Sequence, residues 1–492
     1  MPIDHDSLVV NGRSLTDRVP GHRIFKDKAS AEGARHTEFH ADTLLRDAGA
    51  FGLEKAHQHE HQGDVQFQQG GQSIIIHDVE LAKSVLVRRF DHFSHRRGFV
   101  EGDVDPMFGK NLANANGDRW RELRNLLSPA FTSSRMRAML VLMSNCAENF
   151  VDQLLDRRSD AEPVELKDAL TRYATDVIAT CAYGIEVDSV KNPDNEFYKF
   201  GRRSSKIGFA TMLKFLALLL FPRLSRLAGF RIVSKRDTDF IVGVVESTVK
   251  TRKERNIFRP DMLQLMIEAQ DKMDNLSIEE MAAQAFVFFL AGFETTASHM
   301  CLMAHELAMH PHVQLRLQEE IDEAMGKCNG QLTYDAVNGM LLLDAVFNET
   351  LRLHPIGYLS RICSEEFELP PALPGSKPYA LKRGVEVMIP VAGINSDPRY
   401  FDEPGKFDPA RFVDDKTPGV FNLGFGLGPR MCIGNRFAIL EAKVLFVHLL
   451  QRASLRPCAK TRLPLRYDPR SFTPTPEGGC WLDLKRRTRR NS

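Results

Sequence analysis

The stretch from Ser277 to His310 constrains this chain more than any other. Ser277-Ile278-Glu279-Glu280 is a capping box, with a hydroxyl at the N-cap and a carboxylate three residues on. Helical text then runs unbroken until Pro311 stops it, a span of about 50 Å at 1.5 Å per residue. From Ala282 to Gly292 the run is apolar on nearly every side. A helix like that is stable only if other elements enclose it, so it must pass through the middle of a large domain. Ala291-Gly292-Phe293-Glu294-Thr295-Thr296 then breaks the apolar character abruptly. Gly292 weakens the helix, and Thr295 can bond back to a carbonyl one turn earlier, which together permit a kink or local widening. A packing glycine beside a satisfied threonine accounts for the same letters. An acid followed by a threonine inside a buried helix also makes a proton relay available.

Long helical runs dominate the rest, with strand-like text near residues 63–77, 357–391 and 465–484. The expected fold class is mainly α with a small β portion. With 43% hydrophobic and 26% charged residues and a formal net charge of +1, the chain is no nucleic-acid binder driven by overall charge. The eight cysteines are scattered without a CxxC pair, as in a reducing compartment. Residues 1–60 are polar and carry no apolar run of the kind expected of a signal peptide or anchor. His57, His59 and His61 alternate there, and a solvated segment explains them better than a metal site. Ile207 to Phe221 is the most apolar run but short for a bilayer span. It reads as a core helix, or as a segment dipping into one leaflet with Arg202, Arg203, Lys206, Arg223 and Arg226 meeting headgroups.

The chemistry concentrates in Phe425-Gly426-Leu427-Gly428-Pro429-Arg430-Met431-Cys432-Ile433-Gly434. One cysteine stands in a glycine-punctuated loop just before a helical run whose Phe437, Leu440, Val444 and Val447 make an apolar stripe. The helix N-terminus offers free N–H groups and positive potential, favouring thiolate. Gly428 and Gly434 let backbone approach something bulky and flat, and Arg430 can reach an anionic edge of it. A lone sulfur is wrong for structural zinc, which takes four ligands, and suits one axial bond to a haem iron. Elsewhere, Trp120 and Arg124 lie four apart on one helix face, where an amphipathic surface helix is the plain reading.

With every fixed position of Phe-x-x-Gly-x-Arg-x-Cys-x-Gly matched, the chain resembles the cytochrome P450 family, and most of all its insect and mammalian xenobiotic-oxidising, microsomal branch. The resemblance implies a P450 fold, with a haem domain at 61–485; the text around it reads as a polar segment without membrane anchor at 1–60, a departure from the eukaryotic members, and a basic tail at 486–492. It implies haem b (iron protoporphyrin IX) bound through Cys432, with Phe425, Arg430 and Gly434 in the cradle and Trp120, Arg124 and Arg361 reaching the propionates. Glu294 and Thr295 would serve oxygen activation, and Glu349, Arg352 and Arg411 a structural triad. Phe286, Phe289 and Leu359 would line an apolar substrate cavity, and residues 207–221 would form its lid and a peripheral membrane contact. The implied reaction inserts one atom of O2 into a lipophilic small molecule, with electrons from NADPH-cytochrome P450 reductase docking on Arg119, Arg121, Arg430, Arg436 and Lys443. The expected location is the cytosolic face of the endoplasmic reticulum, with soluble cytoplasm as the alternative. A haem-thiolate isomerase or dehydratase acting on peroxides is the rival activity, and a non-catalytic haem carrier the rival class.

Overall fold

The computed structural model describes residues 61–487 apart from 63–64, 68–72, 99–103, 157–161, 206–212, 215–216, 219–220, 228, 260, 273–275, 372–376, 414–422 and 472. The expectations for His57 and His59, for most of residues 207–221 and for the tail beyond Arg487 lie outside the described residues.

The helices that frame the site are, in chain order, α1 (Gly117–Leu127), α2 (Ser133–Asp156), α3 (Leu166–Ile178), α4 (Glu196–Ser205), α5 (Lys235–Arg255), α6 (Ile278–Met309), α7 (Leu341–Leu353) and α8 (Asn435–Arg452). The capped run of the sequence is α6, 32 residues long, with both reciprocal bonds of the capping box formed at Ser277 and Glu280. It is apolar enough to cross a bilayer by composition, yet it is the central core helix, enclosed by α3, α4, α5 and α7. The helix continues through Gly292 without a break. A β-carbon at Gly292 would stand 3.1 Å from the Ile178 side chain of α3, so the glycine serves close helix packing.

The β portion comprises β1 (His61–Gln62), β2 (Val65–Phe67), β3 (Ser73–Ile76), β4 (Val164–Glu165), β5 (Leu359–Ile362), β6 (Phe367–Leu369), β7 (Tyr379–Leu381), β8 (Glu386–Ile389), β9 (Ala453–Pro457) and β10 (Trp481–Arg486). The main sheet runs β1-β2-β3-β8-β5, with β3 and β8 parallel and the other pairs antiparallel. Register in it places Arg361 opposite Val387, so that Arg361 is carried into the interior. A second sheet, β4-β10-β9, ties the end of the chain to the start of α3. Its two-residue strand β4 is too short to leave a periodic signal, and β9 begins directly where α8 ends.

The stripe expected on α8 is buried, but the amphipathic reading of that helix is corrected. From Leu440 to Leu450 every residue is buried, Glu441, Lys443 and His448 included, because α8 lies against α2, α6 and α7 at once. Two of its polar residues find partners on neighbouring helices: Lys443 reaches Asp344 at 3.2 Å, and Nε2 of His448 lies 2.8 Å from the Ser144 hydroxyl, whereas Oε1 of Glu441 has no hydrogen-bond partner among the described residues.

Candidate functional site

The cysteine loop is built by backbone turns. After a 3-10 turn at Leu423–Phe425 the chain passes through Gly426 (φ +76) and Gly428 (φ +72), both left-handed and unfavourable for a residue with a β-carbon. At Gly428 a β-carbon would also meet the carbonyl oxygen of Leu86 at 2.1 Å, so no side chain fits. Gly434 differs from the expectation: it has φ −92, within reach of any residue, and its place is to open α8. The Cys432 N–H donates to the Phe425 carbonyl at 2.8 Å, closing the loop. The Cys432 side chain keeps accessible surface, yet the surrounding protein desolvates it. Burial raises its thiol above the ordinary value, while the Gly434 N–H and the guanidinium groups of Arg124 and Arg96 pull the other way without winning. Helix and arginines alone therefore do not bring the thiol below its ordinary value here; a coordinated metal ion would supply the missing stabilisation of the thiolate.

Four guanidinium groups gather beside that loop. Arg430 is buried, lies 4.3 Å from the Trp120 ring and donates to Ser94 O (2.7 Å), Ala115 O (2.9 Å) and Asn116 Oδ1 (3.0 Å). Arg124 of α1 donates to Met431 O at 2.9 Å, and Arg96 to Arg430 O at 3.1 Å. Arg361 of β5 is 0% exposed and donates through Nη1 to Ser360 O at 2.8 Å, while its Nε and Nη2 have no partner. Burial first, and then the neighbouring cations, push both Arg361 and Arg430 down to about 9. Among the described residues, none of the four forms a salt bridge to a carboxylate. An uncompensated buried cation is costly, so this cluster suits an anionic partner, for which Arg361 Nε and Nη2 hold unused donors. Arg96 carries no motif that would have announced it. Only the turn linking Arg96 to Asn116, through bonds of 3.0 Å in both directions, brings it there.

One side of α6 is the exception to its burial. Val287, Phe288, Ala291 and Thr295 keep accessible surface at helical spacing, and Ala291 is exposed. The Thr295 hydroxyl donates to Ala291 O at 2.5 Å, one turn back. Glu294, about 100° round the helix, accepts from Lys167 Nζ at 2.8 Å and from the Thr473 hydroxyl at 3.3 Å. The sequence names this acid but neither partner, since both come from remote segments. Phe286 and Phe289, expected to line a cavity, are 1% and 0% exposed and pack into an aromatic cluster with Phe200. A cavity-lining role for them is corrected: the helix turn that exposes Phe288 and Ala291 points them away. Leu359 stays half-buried on β5, next to Gly426.

Behind the loop, Glu349 binds Arg352 bidentately at 2.7 and 2.8 Å, lies 3.4 Å from Arg411 Nε and accepts the Asp408 N–H at 2.8 Å. Arg352 spends its remaining donors on the carbonyls of Asn395, Pro404 and Lys406. The expected triad thus forms, with Arg352 hydrogen-bonded to Glu349 through two nitrogens and Arg411 approaching the same carboxylate at ion-pair distance. Asn395 contributes to the same network, donating to Arg352 O. The five-residue basic patch does not survive. Arg430 and Lys443 are interior, and Arg119 is held by Glu122 and Glu280. Arg121, paired with Asp118, and Arg436 remain at the surface.

The family model for cytochrome P450 matches residues 58–481. The chain belongs to the cytochrome P450 family. It is similar to cytochrome P450 9e2 of Blattella germanica, 40% identical over 84% of both chains. Similarity extends to probable cytochrome P450 9f2 of Drosophila melanogaster (37%, 86% of both) and cytochrome P450 6A1 of Musca domestica (33%, over 84% of this chain and 82% of the other). This P450 is a haem b monooxygenase, an oxidoreductase with a mainly α fold. The residues present fit that cofactor: one accessible sulfur for its iron, and an unbalanced arginine cluster with two unpartnered donor nitrogens for its carboxylates.

Proposed function

We propose that this P450 hydroxylates lipophilic small molecules, xenobiotic or lipid-like, with electrons from NADPH-cytochrome P450 reductase. In this reading Cys432 supplies the axial sulfur, and Phe425 and Gly434 shape the loop that presents it. Arg361 takes the carboxylate edge together with Arg96, Arg124 and Arg430, while Trp120 holds the Arg430 guanidinium in place. The bound haem supplies O2 activation. Glu294 and Thr295 handle the protons, and Val287, Phe288, Ala291 and Leu359 offer an apolar surface that orients substrate by shape and excludes water. The haem domain spans 61–485.

Arg361 carries the reading, because a fully buried cation with two unused donors beside an available thiol needs a large ligand with an anionic edge. Association with the endoplasmic reticulum is supported by apolar side chains at Phe221, Leu224, Leu227 and Phe230, 59%, 64%, 86% and 39% exposed, around a short helix at Pro222–Leu227. Reduced protein under carbon monoxide should show the red-shifted Soret band of sulfur-ligated ferrous haem, and Cys432→Ser should abolish it. With purified reductase, NADPH consumption should be matched by hydroxylated product for some members of a lipophilic panel. A normal band in Cys432→Ser would overturn the ligand assignment, and a peroxide rearrangement independent of reductase would overturn the reaction.

A further inference from the structure

The acid Glu294 is the end of a polar chain that crosses an otherwise apolar part of the core. Ser298, four residues on and on the same side of α6, is 0% exposed, with Ala297, Cys301 and Leu302 buried around it. Its hydroxyl lies 2.6 Å from that of Thr473, itself 3% exposed, which donates onward to Glu294 Oε1 at 3.3 Å. Outward, Ser298 lies 3.4 Å from the Thr475 hydroxyl, and Thr475 lies 3.1 Å from that of Ser471. Thr475 is also 3.4 Å from the Thr473 hydroxyl and 3.2 Å from its carbonyl, which it donates to. Ser471 is half-buried and follows Arg470, whose side chain is 86% exposed. Every link can both accept and donate a proton.

Lys167 completes the arrangement from the other side. It stands in the first turn of α3, where the helix dipole disfavours a cation. Its side chain is nonetheless 14% exposed and tied to Glu294. A lysine so placed is held by that carboxylate rather than by its own helix.

We infer that Ser471, Thr475, Ser298 and Thr473 form a hydroxyl relay from the surface to Glu294, and that Lys167 is the positioning residue that aims the carboxylate at its end. Monooxygenation consumes two protons with two reductase electrons: RH + O2 + 2e− + 2H+ gives ROH + H2O. As Thr473 passes its proton to the Glu294 carboxylate, Ser298 replaces it, and the deficit moves outward through Thr475 and Ser471 to water. No bond other than O–H forms or breaks. The relay presupposes that Glu294 and Thr295 handle the reaction's protons.

The test compares Thr473→Val, Ser298→Ala and Lys167→Met with Thr473→Ser, each required to show the ferrous carbon monoxide band, so that misfolded material is set aside. The infrared carboxylate band of Glu294, identified by subtracting Glu294→Gln, should shift in Thr473→Val and Lys167→Met and return in Thr473→Ser. Product formed per NADPH should fall about tenfold in Thr473→Val and Ser298→Ala, with a larger solvent deuterium isotope effect, and Thr473→Ser should restore both. Thr295→Ala separates the two levels of the idea. If it uncouples turnover while Thr473→Val and Ser298→Ala change neither coupling nor isotope effect, the relay is wrong and the hydroxyls are only structural. If Thr295→Ala and Glu294→Gln also stay fully coupled, the reading of the acid–threonine pair fails and takes the relay with it. An unmoved carboxylate band removes the role of Lys167.

Discussion

His299 shows how a single side chain can be out of balance with its surroundings. It lies in α6 one turn beyond Thr295, 4% exposed, with both ring nitrogens unpartnered and its ring 4.2 Å from that of Phe347. Burial, and secondarily the charge at His354, lowers it from 6.5 to about 3. Its folded-state value lies below the unfolded one, so the neutral form contributes stability above about pH 6.5 that is lost as pH falls toward 3. His299→Leu should therefore raise stability at neutral pH by about 1–2 kcal/mol and flatten the acid limb, read by urea unfolding across that window. Glu349 is the opposite case, a buried carboxylate on which Arg352, Arg411 and Asp408 all converge. Glu349→Gln leaves buried cations uncompensated, and an expected loss of about 3–5 kcal/mol should lower the midpoint of thermal unfolding steeply. At this scale the motif around Cys432 was legible because its residues are neighbours in the chain. Arg96, Lys167 and Thr473 were not, because nothing local marks a side chain whose partner is more than a hundred residues away.

Among the elements, α6 was the most legible, since its capping box and its apolar run are both local properties. Ser277→Ala removes one half of the reciprocal cap while leaving the packed body of the helix, and should cost about 1 kcal/mol, seen as a small uniform shift in unfolding midpoint. Helix α8 was legible in extent but not in environment. Its stripe was real, but contact with several helices at once covers the other faces too, and periodicity reports one buried face rather than how many neighbours arrive. At Gly292 the letters left two readings open. Glycine permits a kink and permits close approach, and Ile178, 3.1 Å from where a β-carbon would stand, supplies the close neighbour that the second requires.

For the whole molecule, the surface offered to a redox partner is smaller and less basic than the letters suggest. Arg121→Glu with Arg436→Glu should slow the first electron transfer, most at low ionic strength, without loss of the ferrous carbon monoxide band; stopped-flow reduction measures it. Lys443 belongs to another category, because burial lowers its ammonium against the pull of Asp344. Lys443→Glu should cost stability instead, and an equal slowing in a stably folded Lys443 variant would contradict the interior placement.

The letters alone determined that a capped, all-round apolar helix must be enclosed, that a lone cysteine opens the last long helix, and that an acid–threonine pair interrupts the central one. Those properties depend on hydrogen bonds and spacing within a few residues, which any fold of this chain must respect. Tertiary structure alone decided that Arg96 joins Arg124, Arg361 and Arg430 beside Cys432, that Lys167 and Thr473 converge on Glu294, and that Phe288 rather than Phe286 keeps accessible surface. Such meetings follow from how helices and strands far apart in sequence settle against one another, and close packing admits only one arrangement of them.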